Sequence, residues 1–284
     1  MDLSIIIVNF NTRDLTHQTI DSIVNNTNGL EYEIIVVDNS TDKKQQCSYS
    51  GEKINVLYDI QNNGFGHACN IGAKASKGKY LLFLNSDTLI HDNCLIRCIY
   101  YLKTHENIGV LGAKIVLMDD TLDHGCKRGF PTPSAAFFYY IGLDKRYPNS
   151  KKYGAYRQTF IDESSINEVD SISGAFLIIP KKLFEKIEGF DETFFMYGED
   201  LDLCYRVKEN GYKVIYYADA VITHLKGQSG LHKSSKIVIY HFYNAMILFY
   251  NKHYRRKYNF FVTSAVYLAI KIKYWLTLLK GKVK

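Results

Sequence analysis

Three clusters in this 284-residue chain combine residue types that hold cations or move protons. The first is Asn85-Ser86-Asp87, directly after the apolar run 80–84. A carboxylate on a rigid strand end suits magnesium or manganese, which take one or two carboxylates and leave other positions to water and phosphate oxygens. The bland alternative is an Asp that caps the turn ahead of Thr88. The second is Phe195-Met196-Tyr197-Gly198-Glu199-Asp200-Leu201-Asp202-Leu203-Cys204-Tyr205-Arg206. Its acids sit at a helix start, where the macrodipole favours negative charge whatever its use. Adjacent acids project in different directions, however, so one can face a cleft as a base while its neighbour is tied into the scaffold by a residue such as Arg206. A hydroxyl attacks poorly until a carboxylate within hydrogen-bond reach takes its proton. The third is His224, expected in a loop beyond a strand at 213–216, beside a stretch rich in Gly, Ser and Lys that begins at Lys226 and suits closure over a diphosphate. Imidazole suits manganese or a softer metal, so His224 can complete the site of Asp87; a lone loop histidine is more often solvated.

These clusters need elements to position them. Short, nearly continuous apolar runs at 4–8, 33–37, 54–58 and 80–84 read as strands buried on both faces. Helical stretches at 15–25, 66–76 and 93–105 lie between them, ended by Asn-rich or Gly-containing turns. The alternation predicts an α/β fold, a doubly wound, mostly parallel sheet whose ligands bind at the carboxyl ends of the strands. Polar residues stand where each strand stops: Asn9 and Asn11, then Asp38 and Asn39, then 62–65, then 85–87. Any one of these is also a default turn former.

Residues 118–168 are irregular, with Pro131, Pro133, Pro148 and a Phe/Tyr cluster over 137–156, and read as an acceptor-facing or lid region. Regularity resumes with a strand at 173–179, a helix at 181–187 opened by Pro180, and a helix at 199–210 closed by Gly211. The expected division is a catalytic domain over 1–230, with halves 1–116 and 117–230, followed by C-terminal helices over 231–284.

Several classes are excluded. A hydrophobic content of 46% is that of a globular chain. No GxGxxG opens a helix after the first strand and no GxxxxGK[ST] occurs, so phosphates must be held in another way. The six cysteines lack CxxC spacing, which fits packed, reduced thiols. Residues 1–10 have no basic n-region, so a cytoplasmic location is expected.

Charge is distributed unevenly. After Asp219 there is no acid, and twelve of the 35 lysines and arginines lie in 226–284, leaving 23 against 29 acids before them. The apolar run 260–270 stops at Lys271 and Lys273, short of the roughly 20 residues a membrane-spanning helix needs. Amphipathic helices lying on an anionic membrane surface fit the tail, with Lys252, Arg255, Arg256 and Lys257 meeting lipid. Packing against the core or a second copy is the alternative; a nucleic-acid partner is not expected.

Taken together, the chain resembles the inverting glycosyltransferases of family 2, especially their bacterial rhamnosyltransferase-like branch. The resemblance runs through Ser4-Ile5-Ile6-Ile7-Val8-Asn9-Phe10-Asn11, Val36-Val37-Asp38-Asn39-Ser40, Asn62-Asn63-Gly64-Phe65-Gly66 with Asn70, Asn85-Ser86-Asp87, Ser173-Gly174-Ala175-Phe176, the acidic segment 198–206 and His224. It implies a GT-A fold with a C-terminal helical appendage. By the same resemblance, Val8, Asn9, Asn11, Arg13, Asp38, Asn39, Asn63, Gly64, Phe65, Asn70, Asn85, Ser86 and Asp87 bind a nucleotide-sugar. Asp87 and His224 hold Mn2+ or Mg2+ on the diphosphate, Gly174, Ala175, Tyr197 and Gly198 border the acceptor, and Asp200 is the base with Glu199 beside it. One position departs from the family pattern: its Asp-x-Asp is here Asn85-Ser86-Asp87, which places one less negative charge at the metal.

The implied reaction moves a sugar, L-rhamnose from dTDP-β-L-rhamnose by branch resemblance, to a glycan or polyprenyl-linked acceptor in bacterial surface polysaccharide synthesis. A UDP-hexose or UDP-N-acetylhexosamine donor is the alternative. The implied location is the inner face of the cell membrane, with a homodimer open. Two rival readings are a nucleotidyltransferase, whose Gly-rich loop after the first strand is missing here, and a non-catalytic glycan binder, against which Asp87, Asp200 and His224 all argue.

Overall fold

The computed structural model describes residues 1–59, 61–225 and 235–281. The first apolar run is β1 (Leu3–Asn9), buried on both faces, which is why its sequence does not alternate. The amphipathic α1 (Arg13–Asn26) returns the chain to β2 (Tyr32–Asp38), and β3 (Ile54–Tyr58) lies outside β2. Then α2 (Phe65–Ala75) crosses to β4 (Tyr80–Asn85) on the other side of β1. All three pairings are parallel, so these strands present their carboxyl ends along one edge. The crossover is tight: a Cβ on Gly72 of α2 would stand 2.5 Å from Ile6 Cγ2.

The chain continues through β5 (Thr88–Ile90), α3 (Cys94–Thr104), β6 (Ile108–Val116), α4 (Pro133–Tyr140), the single turn α5 (Leu143–Arg146) and β7 (Asn167–Val169). It goes on through β8 (Phe176–Pro180), α6 (Lys181–Lys186), α7 (Glu199–Glu209) and β9 (Lys213–His224). Here the sheet becomes mixed. The order is β3-β2-β1-β4-β8-β6-β9-β5, with β7 also on β9. Strand β8 inserts antiparallel between β4 and β6, β9 runs parallel to β6, and β5 and β7 pair antiparallel with β9. By these pairings β3, β2, β1, β4, β6 and β9 point one way and the other described strands the opposite way, so the sheet is mostly parallel as expected.

Two local expectations change. The strand expected at 213–216 runs on to His224, which therefore ends a strand pinned between β6 and β5 rather than standing in a loop. Within the irregular stretch, α4 forms because Pro133 occupies its first turn and the Thr132 hydroxyl accepts from Ala135 N at 3.2 Å. Its sequence Pro-Ser-Ala-Ala-Phe-Phe-Tyr-Tyr has no polar face, so no helical period is visible in it. All six cysteines are free and buried.

The tail forms an antiparallel pair, α8 (Lys236–His253) and α9 (Phe260–Gly281). Tyr243 bonds Thr277 at 2.7 Å and Tyr250 bonds Thr263 at 2.9 Å, early with late and late with early. Helix α8 packs on the α/β core: Ala245, Phe249 and Tyr250 share an apolar cluster with Phe194 and with Tyr205 of α7. This docking alters the expected lipid-facing charge. Lys252 is paired with Asp191 at 2.6 Å and Asp202 at 2.7 Å, and Lys257 donates to the Tyr205 hydroxyl. Arg255 and Arg256 stay exposed.

Nor does the helix end where the apolar run meets Lys271. The helix continues through it, and Phe260–Lys280 is long and apolar enough to cross a membrane by length and composition, with only 6% of it buried. Lysine stems pack along apolar surface while their charged ends reach polar surroundings, so two lysines do not break such a helix.

Candidate active site

The parallel strand ends, the start of α7 and the end of β9 surround one cavity of about 880 Å³. At its polar end the chain leaves β4 at Asn85, and Asp87 Oδ1 meets His224 Nε2 at 3.1 Å. The meeting is imposed by the sheet: β5 and β9 pair Thr88 with His224, and Leu225 N donates to Asp87 O at 2.8 Å. The other ring nitrogen, Nδ1, lies 3.1 Å from Asp123 Oδ2. Burial pushes the imidazole toward its neutral form, but the hydrogen bonds to Asp123 and Asp87 outweigh it, and the His224 pKa is pushed up to about 9.

A carboxylate behind a histidine, fixing its ring and tautomer, is the outer-shell support usual for a metal-ligating imidazole. The donor set fits a divalent cation with one carboxylate, one imidazole and diphosphate oxygens; a cation would replace the proton now shared between Asp87 and His224. Among the described residues, no group of three or more His, Cys, Asp or Glu forms a metal cluster. Asn85 Nδ2 reaches His224 Nε2 only at 3.5 Å.

Across the cavity, Gly198, with φ +85°, opens α7 directly after Tyr197 at φ +68°. Two successive left-handed residues turn the chain sharply, so that Glu199 and Asp200 begin the helix at the cavity wall. Asp200 Oδ2 accepts from Arg128 Nη2 at 2.6 Å and from Gly174 N at 3.1 Å, and Oδ1 accepts from Leu201 N at 2.7 Å. The carboxylate is held in one orientation with 13% of its side chain exposed. Glu199 behaves differently. It is buried, and among the described residues its Oε2 has no hydrogen-bond partner. Burial, then the charge of Asp200, pushes its pKa up to about 8, so it is mostly protonated at neutral pH. Arg206 holds neither of these: it pairs with Asp202 at 2.8 Å, one turn along α7.

The parallel-strand half of the chain is tied to this segment through Gly64. At φ +107°, a Cβ there would lie 2.4 Å from Phe195 O, and the next residue, Phe65, donates its N–H to that oxygen at 3.0 Å.

Val8, Asn39, Gly64, Phe65, Asn85, Ser86, Asp87, Gly174, Ala175, Tyr197, Gly198, Glu199, Asp200 and His224 thus line one cavity. Others from the sequence reading lie outside its lining, and their polar atoms serve the scaffold. Asn9 Nδ2 donates to Asp38 Oδ2, Ser40 Oγ and Gln45 O, each at 2.9 Å. Asp38 also accepts from Ser40 N at 2.8 Å and from Cys47 N, which leaves little of its carboxylate for a ribose. Asn11 accepts from Thr41 N and Asp42 N, both at 3.1 Å, Arg13 pairs with Asp14 at 3.0 Å, and Asn63 is exposed. Asn70 ties α2 to Phe190 and Glu192. The stretch beginning at Lys226, expected to close over a diphosphate, lies outside the described residues.

Two charged lining residues that hold the site's groups in place escaped the sequence reading. Asp123 and Arg128 both come from the irregular stretch, where no periodicity marks a face; a basic pair before Gly129-Phe130-Pro131 is the one local hint for Arg128.

The profile of the Glycosyltransferase like family 2 matches residues 2–239. The chain belongs to this family. Similar proteins include the low-salt glycan biosynthesis hexosyltransferase Agl10 of Haloferax volcanii, 27% identical over 219 residues, covering 75% of this chain and 64% of that one. Rhamnosyltransferase WbbL of Escherichia coli K12 is 29% identical over 227 residues, covering 75% and 79%. The chain therefore spans a little under two thirds of the first relative's length. Among solved structures, GalNAc-T7 with UDP, GalNAc and Mn2+ superposes with a TM-score of 0.61 at 16% identity, over 87% of this chain and 48% of that one. The fold is accordingly the GT-A type of this glycosyltransferase family.

Proposed function

We propose that this family 2 protein is an inverting glycosyltransferase that moves a sugar from a nucleoside diphosphate to an acceptor hydroxyl. One observation carries the reading: Asp200 faces the same cavity as the Asp87–His224 pair, so a base and a cation-holding end lie around one space. The acceptor oxygen attacks the anomeric carbon, its proton passes to Asp200, and the bond from that carbon to the diphosphate oxygen breaks. A single displacement inverts the centre. Arg128 and the Gly174 amide fix Asp200 in direction, and protonated Glu199 offers a neutral hydrogen-bonding group beside it.

Asp87 and His224 would hold Mn2+ or Mg2+, supported by Asp123; such an ion supplies charge stabilisation at the leaving diphosphate. Asn85 and Ser86 would face phosphate or sugar, and Val8, Asn39, Gly64 and Phe65 the nucleoside. The relative named a rhamnosyltransferase supports dTDP-β-L-rhamnose as the donor, and the acceptor would be a glycan or lipid-linked glycan. The exposed, apolar α9 supports residence at the inner membrane surface.

The test is release of nucleoside diphosphate from dTDP-rhamnose and a panel of UDP-sugars, with and without Mn2+ or Mg2+. Asp200→Asn should lower transfer by about 10² to 10⁴ in a protein that circular dichroism shows to be still folded. Near-normal transfer in that folded variant would overturn the assignment of the base.

A further inference from the structure

The cavity wall beside Asp200 comes from the irregular stretch, and it carries two tyrosines to which no role has been given. Arg128, whose guanidinium holds Asp200 at 2.6 Å, is fixed on one side by its own N–H, which donates to Ser171 O at 2.9 Å. On the other side the next residue, Gly129, donates its N–H to Tyr156 O at 2.8 Å, and a Cβ on Gly129 would have no room against Ala155 O. Tyr156 therefore stands on a segment bonded one residue from the clamp on Asp200, and it lines the same cavity. Tyr139 of α4 lines it too, its ring 5.1 Å from that of Tyr156 and tilted by 56°.

The hydroxyls of this pair are poorly engaged. Tyr139 OH accepts from Arg157 Nη2 at 3.5 Å, beyond the usual length of such a bond. Tyr156 OH makes no hydrogen bond among the described residues. Burial pushes the Tyr156 pKa above its ordinary 10, against the opposing charge of Arg128, so the phenol keeps its proton and donates. A partly buried hydroxyl of this kind has given up water without gaining a protein partner, which a ligand hydroxyl can restore.

Two ring faces and two phenols match a pyranose. Its C–H groups, made weakly positive by the ring oxygens, lie against the negative faces of the aromatic rings, and its hydroxyls exchange hydrogen bonds with phenols. A diphosphate does not match, because Arg128, the cation of this wall, is already paired with Asp200. We propose that Tyr139 and Tyr156 form the subsite for the terminal pyranose of the acceptor, with the Tyr156 hydroxyl bonded to the ring hydroxyl next to the one that Asp200 deprotonates. This rests on the transferase reading above and adds the substrate class, a pyranose with a free vicinal diol, and two residues that recognise it.

The test uses the full chain with dTDP and Mn2+ and three probes: methyl β-D-glucoside, methyl N-acetyl-β-D-glucosaminide and methyl α-L-rhamnoside. Saturation-transfer NMR should show binding of at least one of them. Tyr156→Phe should weaken that binding about 2- to 10-fold, the effect of one neutral hydrogen bond, and Tyr139→Leu should weaken it as well, with dTDP affinity unchanged in both. Among the monodeoxy analogues of the bound glycoside, one should bind the wild type as weakly as the intact glycoside binds Tyr156→Phe, and should not notice the substitution. A tyrosine with a merely structural role would not single out one hydroxyl. Three outcomes overturn the proposal: no saturation of any probe by the wild type, a loss in Tyr156→Phe that is equal for every deoxy analogue, or a matching fall in dTDP affinity, which would assign the tyrosines to the nucleotide. Nucleotide-sugar turnover on the same preparations separates the two readings. Turnover with acceptor kinetics unchanged in Tyr156→Phe refutes the subsite alone, and glycoside binding that depends on Tyr156 without turnover on any donor refutes the transferase reading alone.

Discussion

At the scale of single residues, the site depends on how three carboxyl groups are treated differently. Asp87 is shared with an imidazole, Asp200 is clamped by a guanidinium and a backbone amide, and Glu199 is buried with its Oε2 unpaired among the described residues. The clamp makes Arg128 a positioning residue. Arg128→Met should lower kcat about 10- to 100-fold, the equivalent of the ~1.5–3 kcal/mol of a hydrogen bond to a charged group, with little change in donor KM. Steady-state kinetics with a fixed acceptor would show this, and an effect confined to KM would contradict it. Glu199 predicts a dependence of stability on pH. Its folded pKa of about 8 lies above the ordinary 4.5, so the folded form holds a proton that the unfolded chain gives up. The stability that comes from keeping the group neutral is complete below pH 4.5 and declines as pH rises through 8. Glu199→Gln removes that decline. Its melting temperature should gain on the wild type steadily between pH 5 and 8 and then level off, as scanning calorimetry across buffers would record.

At the scale of elements, the start of α7 is held from outside by α8. Asp202 is fully buried and takes Arg206 from its own helix together with His253 at 2.8 Å and Lys252 at 2.7 Å from α8. Burial pushes its carboxyl up, but the His253 hydrogen bond and the charges of Arg206 and Lys252 outweigh it and hold the pKa at about 2. A depressed folded value means that this stabilisation is complete above the ordinary 3.8 and is lost as pH falls through 2. It amounts to about 2 kcal/mol. Acid unfolding followed by circular dichroism should therefore steepen between pH 4 and 2, and Asp202→Asn should flatten that limb. Removing the side chain altogether is harsher: Asp202→Ala leaves Arg206, whose side chain is mostly buried, without its carboxylate, a class of change that costs roughly 3–5 kcal/mol. The residues that read as an appendage thus brace the helix that carries Asp200.

For the whole molecule, the two tail helices divide the work. Helix α8 belongs to the packed core, whereas α9 presents an apolar surface that the rest of the chain does not bury. A chain ending after Tyr258 keeps Tyr254 and Tyr258 on the core cluster, so it should remain folded yet stop floating with anionic vesicles; equal flotation of the two forms would refute a membrane role for α9. The outline of the molecule was legible in the residues themselves. Continuous apolar runs bounded by Asn, Asp and Gly declare buried parallel strands, because a strand covered on both faces has no polar side and its turn needs residues tolerant of unusual backbone angles. Asp87, Asp200 and His224 were legible for a related reason: each stands at the end of an element. Which polar groups face substrate was not legible. Asn9 and Asp38 stand at strand ends just as Asn85 and Asp87 do, yet satisfy one another, while Arg128 and Asp123 come from a stretch without period and reach the site. The type and order of side chains determine where elements begin and stop, since those are local preferences. The pairing of one polar group with another is settled only when distant segments pack, since a buried donor takes whichever acceptor the fold brings within about 3 Å.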